Sequence, residues 1–296
     1  MNKYNNEYVS GLDVKISNPP KLKTYDCFCM WSDLLGFGSM FEQTNWVLSN
    51  KQKRKVYKRL EAAHRNVLYY SSPNEHDLIL NDGIAKVYHA ANCESKIGIF
   101  PITIFLNSCI QLHLSINKEE KCEGYPGCRS VLSFGESIEY LSDEVRYDDY
   151  FINYTKSEGE EISSGAKKNG NPVIIYNPKE LQMNTAFSKS YLLESGGAKA
   201  GLQGNQFYID QSVIDTLEKY ASSVGWNVIW RDENDLSIMF ISYTKNIEDK
   251  VWMGLALKGP IYPNPKIVRY KTTIYQLIRF YPHDENKSEF YFDLEG

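Results

Sequence analysis

Tyr25-Asp26-Cys27-Phe28-Cys29-Met30-Trp31-Ser32-Asp33-Leu34-Leu35-Gly36-Phe37-Gly38 is the stretch on which the fold turns. Its apolar and aromatic first half reads as a buried strand over 25–31 that stops at the polar pair Ser32-Asp33. Gly36-Phe37-Gly38 then predicts a tight turn. A helical stretch follows over roughly 39–70, where Val56, Leu60, Ala63 and Val67 recur at helical spacing. Ser71-Ser72-Pro73-Asn74 breaks it. Beyond that break, Asp77–Leu80 and Ile84–Tyr88 flank Asn81-Asp82-Gly83, a strong hairpin signal between two β-rich runs.

Working outward, the periodicity predicts a second helix over about 98–117 and a third strand over Arg129–Gly135. Residues 155–171 are Ser-, Gly-, Glu-, Lys- and Asn-rich and read as a loop. A strand is expected over Pro172–Tyr176. Asn177-Pro178 is expected to open a helix that runs to Ser195 and stops at Gly196-Gly197. Phe207–Asp210 reads as a short strand and 211–222 as a short helix. From Trp226 onward strand-like runs dominate: Val228–Trp230, Ser237–Ser242, Val251–Leu257, Ile267–Tyr270 and Phe290–Phe292. The expected division is therefore a polar N-terminal arm over 1–23, a main domain over 24–222 and a β-rich C-terminal extension over 223–296.

The chain of 296 residues is long enough for a sizeable core, and its composition is that of a folded protein, 42% hydrophobic and 24% charged. A formal net charge of −4 argues against a strongly basic nucleic-acid binder, so no nucleic acid is expected as partner. The basic run Lys51–Arg59 carries six positive charges and reads as the solvated face of the first long helix. No apolar run approaches the roughly 20 residues that span a bilayer, and the N-terminus has no apolar signal segment. A cytoplasmic location without a membrane span is expected. The six cysteines, Cys27, Cys29, Cys93, Cys109, Cys122 and Cys128, are too sparse for a disulfide scaffold and lack zinc-site spacing, so buried or idle thiols are expected.

Two acidic residues carry the chemistry. Asp33 ends the first strand and Asp82 sits at the hairpin tip. Each read alone is a common turn residue. Carboxylates at the ends of adjacent strands make a natural site for Mg²⁺ or Mn²⁺, which take oxygen ligands and leave room for substrate phosphates. The carbonyl of Leu34 is a candidate further ligand. The amides of Leu35, Gly36, Phe37 and Gly38, at a helix start, are candidates to hold a triphosphate oxygen.

The order of these pieces resembles the class III nucleotide cyclases. Asp33-Leu34-Leu35-Gly36-Phe37-Gly38-Ser39-Met40-Phe41 is similar to their first metal-site motif. Leu80-Asn81-Asp82-Gly83-Ile84-Ala85 is similar to their Gly-Asp-Gly hairpin, with Asn81 in place of the first Gly. Arg129–Gly135 resembles the next strand, Phe187–Ser195 the later helix ending in Leu-Glu, and Phe207–Ile214 the closing strand and helix. The resemblance covers about 24–220. It implies an α+β fold with a ferredoxin-like βαββαβ core, in which a mostly antiparallel sheet is flanked by helices. It also implies two Mg²⁺ or Mn²⁺ per site on Asp33 and Asp82, with the Leu34 carbonyl added. Gly36, Phe37 and Gly38 would lie under the phosphates and Arg129 would contact the terminal ones. The substrate would be a nucleoside triphosphate, and a two-fold homodimer is implied.

Departures from the pattern matter. Purine cyclases of this family commonly place a base-reading Lys four residues before the hairpin Asp, and Leu78 stands there. The later helix of the family carries an Asn and, four residues on, an Arg. Here Asn184 is followed by Ser188, and aligning the Leu-Glu ends instead pairs Ser188 with Leu192. Asn184 is kept as a ribose or phosphate ligand, and Lys189, beside Ser188, as a partial substitute for the Arg charge. Arg146 is another candidate. A compact cyclase lacking the purine-reading Lys resembles the pyrimidine cyclases of bacterial Pycsar antiphage defence, whose cyclic CMP or cyclic UMP activates a separate effector. A purine cyclase and a catalytically degenerate cyclase-homology domain remain open readings.

Overall fold

The computed structural model describes residues 22–90, 99–140, 167–168, 171–172, 178, 180–243, 251–282 and 291–294. The chain divides into two compact units, 1–25 with 136–184, and 26–135 with 185–296. Of the first unit the structure describes little. It contains the first residues of one long strand and the last residues of another, the pair β5 (Lys167–Lys168) and β6 (Asn171–Pro172), and a turn that leads to Asn184. Residues 1–21 of the arm predicted over 1–23, residues 173–176 of the strand predicted over 172–176, Cys93 and Arg146 lie outside the described residues, whereas Leu22 and Lys23 of that arm already belong to a strand.

The second unit is built on one sheet. Strand β1 (Leu22–Leu34) continues past the predicted stop, because Ser32, Asp33 and Leu34 still pair with the next strand or the turn beside it. The expected helix over 39–70 is two helices, a single turn α1 (Ser39–Glu42) and α2 (Asn50–Tyr69). Asn45 and Trp46 both adopt positive φ, which no helix tolerates, and Ser49 and Gln52 then form a reciprocal capping box that starts α2 afresh. Hairpin strands β2 (Glu75–Leu80) and β3 (Gly83–His89) meet at Asn81-Asp82 as predicted. Helix α3 (Ile99–Cys122) follows, longer than expected, and then β4 (Cys128–Tyr140).

Helix α4 (Thr185–Ala200) starts seven residues after Pro178, where its opening was predicted, and turns precede it. It kinks at Gly197, where φ is 49°. Strand β7 (Phe207–Asp210) and helix α5 (Gln211–Ser223) match expectation. The C-terminal strands are β8 (Asn227–Glu233), β9 (Leu236–Ser242), β10 (Val251–Ile261), β11 (Ile274–Tyr281) and β12 (Phe292–Asp293). Residues 267–270, predicted as strand, form turns and irregular chain instead, and Val268 is buried there.

Sheet order is β2-β3-β1-β4-β7-β11-β10-β9-β8, with β12 beside β11. The first four places are the order of a ferredoxin-like βαββαβ core, so the expected α+β class with a mostly antiparallel sheet is present. The one parallel pair among the described ladders of this sheet is β4 with β7, joined through α4. The C-terminal strands continue the same sheet through the antiparallel pair of β7 and β11.

Period-two alternation sorts β1 between two layers. Phe28, Met30 and Leu34 enter the main core with Val56, Ala63 and Val67 of α2, Phe105, Leu106 and Ile110 of α3, and Val213 and Leu217 of α5. Cys29, Trp31 and Asp33 point the other way, toward α4. There Leu193 and Ala200 pack on Val131, Tyr208, Val268 and Ile274. Each large apolar side chain so buried contributes roughly 1.5–3 kcal/mol. Cys27, Cys29, Cys109 and Cys128 are buried free thiols and Cys122 is an exposed one. Among the described residues no helix is long and apolar enough to cross a membrane.

Candidate metal and nucleotide site

Asp33 stands opposite Gly83 in the β1–β3 ladder, so the neighbouring hairpin residue Asp82 lies at the same end of the sheet. The Leu34 amide donates to the Asp82 carbonyl at 3.2 Å and closes this corner. Gly83 is demanded by packing: a Cβ there would fall 2.3 Å from the Trp31 ring. Asn81 occupies the left-handed region, at φ 62°, which Asn tolerates better than most side chains. Its amide donates to Asp82 Oδ1 at 2.9 Å and sets the carboxylate's direction. His64 of α2 meets the Asn81 carbonyl at 3.1 Å and ties the hairpin tip to the helix layer.

Helix α4 lays one stripe along the outer face of β1. Phe187, Ser190, Tyr191 and Glu194 recur at helical spacing. Phe187 and Tyr191 flank Trp31 with ring centroids 5.7 and 5.5 Å away, and Ser190 donates to the Cys29 carbonyl at 2.7 Å. Glu194 completes the stripe and brings a third carboxylate to the neighbourhood of Asp33. Burial raises the Asp33 carboxyl to about 7, with Glu194 and then Asp82 adding repulsion and Arg129 and Arg59 opposing it. Burial likewise raises Glu194, and the Arg129 guanidinium pulls it back.

The turn after β1 is pinned from three sides. Leu35 donates its amide to the Gly127 carbonyl at 2.8 Å. Phe37 is buried against Phe41. Arg59 reaches from α2, donating from Nη2 to the Leu35 carbonyl at 2.9 Å and from Nε to Glu120 of α3 at 3.0 Å. Its guanidinium also stacks 4.4 Å from the Tyr125 ring centroid. Arg59 therefore corrects the reading of the basic run: Lys51, Lys53, Arg54, Lys55 and Lys58 are exposed, but Arg59 is buried in an ion pair. Phe37 serves as an anchor, and its amide already donates to the Leu34 carbonyl at 3.2 Å. Among the described residues, the amides of Gly36 and Gly38 meet no protein acceptor. The expected helix dipole behind them is weak, because α1 is a single turn.

Beneath the site runs a buried polar chain. Ser32 and Ser130 hydroxyls meet at 2.6 Å, and Ser130 meets His113 Nδ1 of α3 at 2.8 Å. Asn117 contacts His113 Nε2 at 3.0 Å and accepts from the Cys128 amide at 2.9 Å. Ser32 adjoins Asp33 and Ser130 adjoins Arg129, so this chain registers β1 against β4 at the acidic corner. Burial drives the His113 imidazole down to about 3, and it is neutral. The sequence offered no signal for Arg59–Glu120 or for this network, because their members are far apart in the chain.

The remaining candidates are placed less favourably. Arg129 contacts Glu194 at 2.7 Å and is largely buried. Lys189 donates to the Phe134 carbonyl at 2.8 Å. Phe134 packs on Phe28, which lies five residues up β1 from Asp33, or ~17 Å at ~3.3 Å per residue. Lys189 is thus not brought to the carboxylates. Asn184 belongs to the first unit, where it is buried, bridges Ser137 and donates to the Glu180 carbonyl at 2.8 Å. Leu78, at the base-reading position, is buried and pairs with Ala85.

Asp33 and Asp82 lie at one corner beside the Leu34 carbonyl, and all three offer hard oxygen donors, the type Mg²⁺ and Mn²⁺ take. The upward shift of Asp33 comes first from burial and then from the negative charge of Glu194 and Asp82, and a divalent cation beside it would favour the ionised carboxylate. Among the described residues no group of three or more His, Cys, Asp or Glu side chains is set to hold a metal, so the donor set is a carboxylate pair with further positions left for substrate and water.

No family model and no curated protein matches the chain. Among solved structures it is similar to the adenylyl cyclase CyaB from P. aeruginosa, at 11% identity over 87% of this chain and 96% of that one, with a TM-score of 0.40. It is similar to the guanylyl cyclase Cya2 at 12% identity over 94% of this chain and 100% of that one, with a TM-score of 0.41. A class III adenylyl cyclase-like ATP-binding protein from Pseudomonas aeruginosa matches at 12% identity over 72% of this chain and 38% of its own, with a TM-score of 0.37. At such identities and superposition scores, the reading of the site rests on its own geometry.

Proposed function

We propose that the protein is a metal-dependent nucleotide cyclase that converts CTP or UTP to the 3′,5′-cyclic monophosphate and pyrophosphate. The observation that carries the reading is the meeting of Asp33 and Asp82 at one corner of a ferredoxin-like sheet, near enough that the Asp82 carboxylate adds to the upward shift of the buried Asp33. Asp33 and Asp82 would hold two Mg²⁺ or Mn²⁺, with the Leu34 carbonyl as a further ligand. When bound, the metals lower the pKa of the ribose 3′-hydroxyl and neutralise the departing phosphates. The bond from O3′ to the α-phosphorus forms, the bond from that phosphorus to the bridging oxygen breaks, and the hydroxyl proton passes to solvent. The chain's own work is positioning. Asn81 aims Asp82, Arg59 holds the Leu35 turn, and the Gly36 and Gly38 amides offer donors to phosphate oxygens.

Pyrimidine preference is supported by Leu78, an apolar residue where the resembling purine cyclases carry a base-reading Lys. In this reading the product is a second messenger in antiphage defence, acts on a separate effector, and is made by a two-fold homodimer. A second reading has a specific observation behind it. Lys189 lies far from the carboxylates and Arg129 is engaged within the chain, so a nucleotide-binding domain without turnover is the competitor.

The deciding experiment incubates the protein with each of the four nucleoside triphosphates and Mn²⁺ and resolves products by mass spectrometry. A cyclic pyrimidine monophosphate, lost in Asp33→Ala, is the expected result. A cyclic purine product would keep the chemistry and discard the pyrimidine assignment. Absence of any product from folded protein would leave the binding-domain reading in its place.

A further inference from the structure

Arg129 begins the strand that faces the acidic corner, and the family resemblance would send it to the substrate's terminal phosphates. Its surroundings assign it other work. Nη2 donates to Glu194 Oε1 at 2.7 Å and to the Glu194 carbonyl at 3.1 Å, and Nη1 donates to the Leu202 carbonyl at 3.2 Å. The Glu194 and Leu202 carbonyls bracket the kink at Gly197, so the guanidinium caps the end of the main segment of α4. A cation is favoured there by the helix dipole and by the carbonyls the helix leaves unpaired.

Gly197 makes room for this cap. A Cβ at 197 would fall 2.8 Å from Arg129 Nη2, and the residue adopts φ of 49°, a conformation that suits Gly. The Leu202 amide returns to the Gly197 carbonyl at 3.0 Å and closes the bend around the guanidinium. The Arg129 and Glu194 side chains are 12% and 5% exposed, so neither is displayed to a ligand. If the guanidinium left for a phosphate, it would strand a buried carboxylate and bare carbonyls together.

We propose that Arg129 is a positioning residue, not a phosphate ligand. It locks the C-terminal end of α4 onto β4, and thereby holds the Phe187–Ser190–Tyr191–Glu194 stripe against β1 beside Asp33 and Asp82. The consequence for turnover rests on the cyclase reading above. The local consequence, a bend held shut at 197–202, does not.

Arg129→Gln, Glu194→Gln and the double variant test it by steady-state kinetics with Mn²⁺ and the preferred triphosphate, by nucleotide Kd, and by amide hydrogen exchange. As a clamp, each single change lowers kcat by about 10–100-fold and leaves KM and Kd within about threefold, because the reacting groups are misplaced while phosphate contacts persist. The double variant is then no worse than the more damaged single, since both remove one interaction. Amides at 197–202 exchange faster in each. A rise of tenfold or more in KM or Kd for Arg129→Gln, with none for Glu194→Gln, would mark a phosphate ligand and overturn the proposal. Should Arg129→Gln fail to fold, Glu194→Gln decides alone: unchanged kcat and unchanged exchange at 197–202 would also overturn it. If wild-type protein yields no cyclic product, the cyclase reading falls, while the exchange pattern and Kd still judge Arg129.

Discussion

His113 offers a prediction whose size follows from the structure. Its ring is buried among Ser130, Asn117, Cys128 and Phe207, with Ser130 Oγ 2.8 Å from Nδ1 and the Phe207 ring edge-on at 5.4 Å. Among the described residues no carboxylate contacts it, and desolvation lowers its pKa from 6.5 to about 3. The folded state therefore binds the His113 proton more weakly than the unfolded chain does. Between those values the unfolded chain carries more protons, so stability rises with pH at up to about 1.4 kcal/mol per unit. Above about pH 6.5 the full contribution is present, and it is lost as pH falls toward about 3. Between pH 7.5 and pH 5.0 the loss from this one group is about 2 kcal/mol. Urea unfolding of wild type and His113→Gln at both values isolates it, because the carboxylates titrate alike in both proteins. Wild type should lose about 2 kcal/mol more than the variant. Equal losses would refute the claim that the imidazole is held neutral, and with it the account of how β1 and β4 are registered beneath the acidic corner.

Other perturbations have equally definite outcomes. Arg59→Ala leaves Glu120 buried and unpaired and should cost about 3–5 kcal/mol in chemical denaturation, whereas Arg59→Met with Glu120→Leu should recover most of it. Asp33→Asn removes a buried carboxylate that Glu194 and Asp82 also repel, so it should raise the melting temperature of metal-free protein while abolishing the further rise that Mn²⁺ gives wild type. A thermal-shift titration with Mn²⁺ followed by EDTA reads both effects. Asn81→Val forces a β-branched residue into positive φ and removes the bond to Asp82, so stability should fall by roughly 1–2 kcal/mol and Mn²⁺ affinity should fall as well, whereas Asn81→Gly should weaken only the metal.

Much of this architecture was legible locally. The 25–31 run, the Asn81-Asp82-Gly83 hairpin and the Phe207–Asp210 strand each carry a short-range signal, and each is present. The division of α1 from α2 had a visible mark as well, since Ser49 and Gln52 spell a capping box, but the helical spacing farther on masked it. Pro178 misplaced the start of α4, because a proline suited to a first helical turn suits an irregular turn equally. Within the site, Asp33 and Asp82 announced themselves through the turns that flank them. Arg59 with Glu120, Arg129 with Glu194, and Ser32 with Ser130 and His113 did not, because side chains that meet only through the sheet leave no periodic trace. The Phe187–Glu194 stripe was open to reading at helical spacing, but its mixed aromatic and polar character hid which surface it covers.

The junction of β7 with β11 bears on how the protein is made. Asp210 ends β7 and caps α5, and its carboxylate accepts from Tyr270 at 3.0 Å and from Thr272 at 2.7 Å. Both partners, and the whole edge that β11 supplies, emerge from the ribosome about 60 residues after β7. At roughly 5–20 residues per second β7 waits several seconds with one side unpaired. An exposed, apolar edge of that kind recruits other strands. The chain should therefore depend on chaperones during synthesis, and removing everything past α5 should yield aggregates rather than a smaller folded protein.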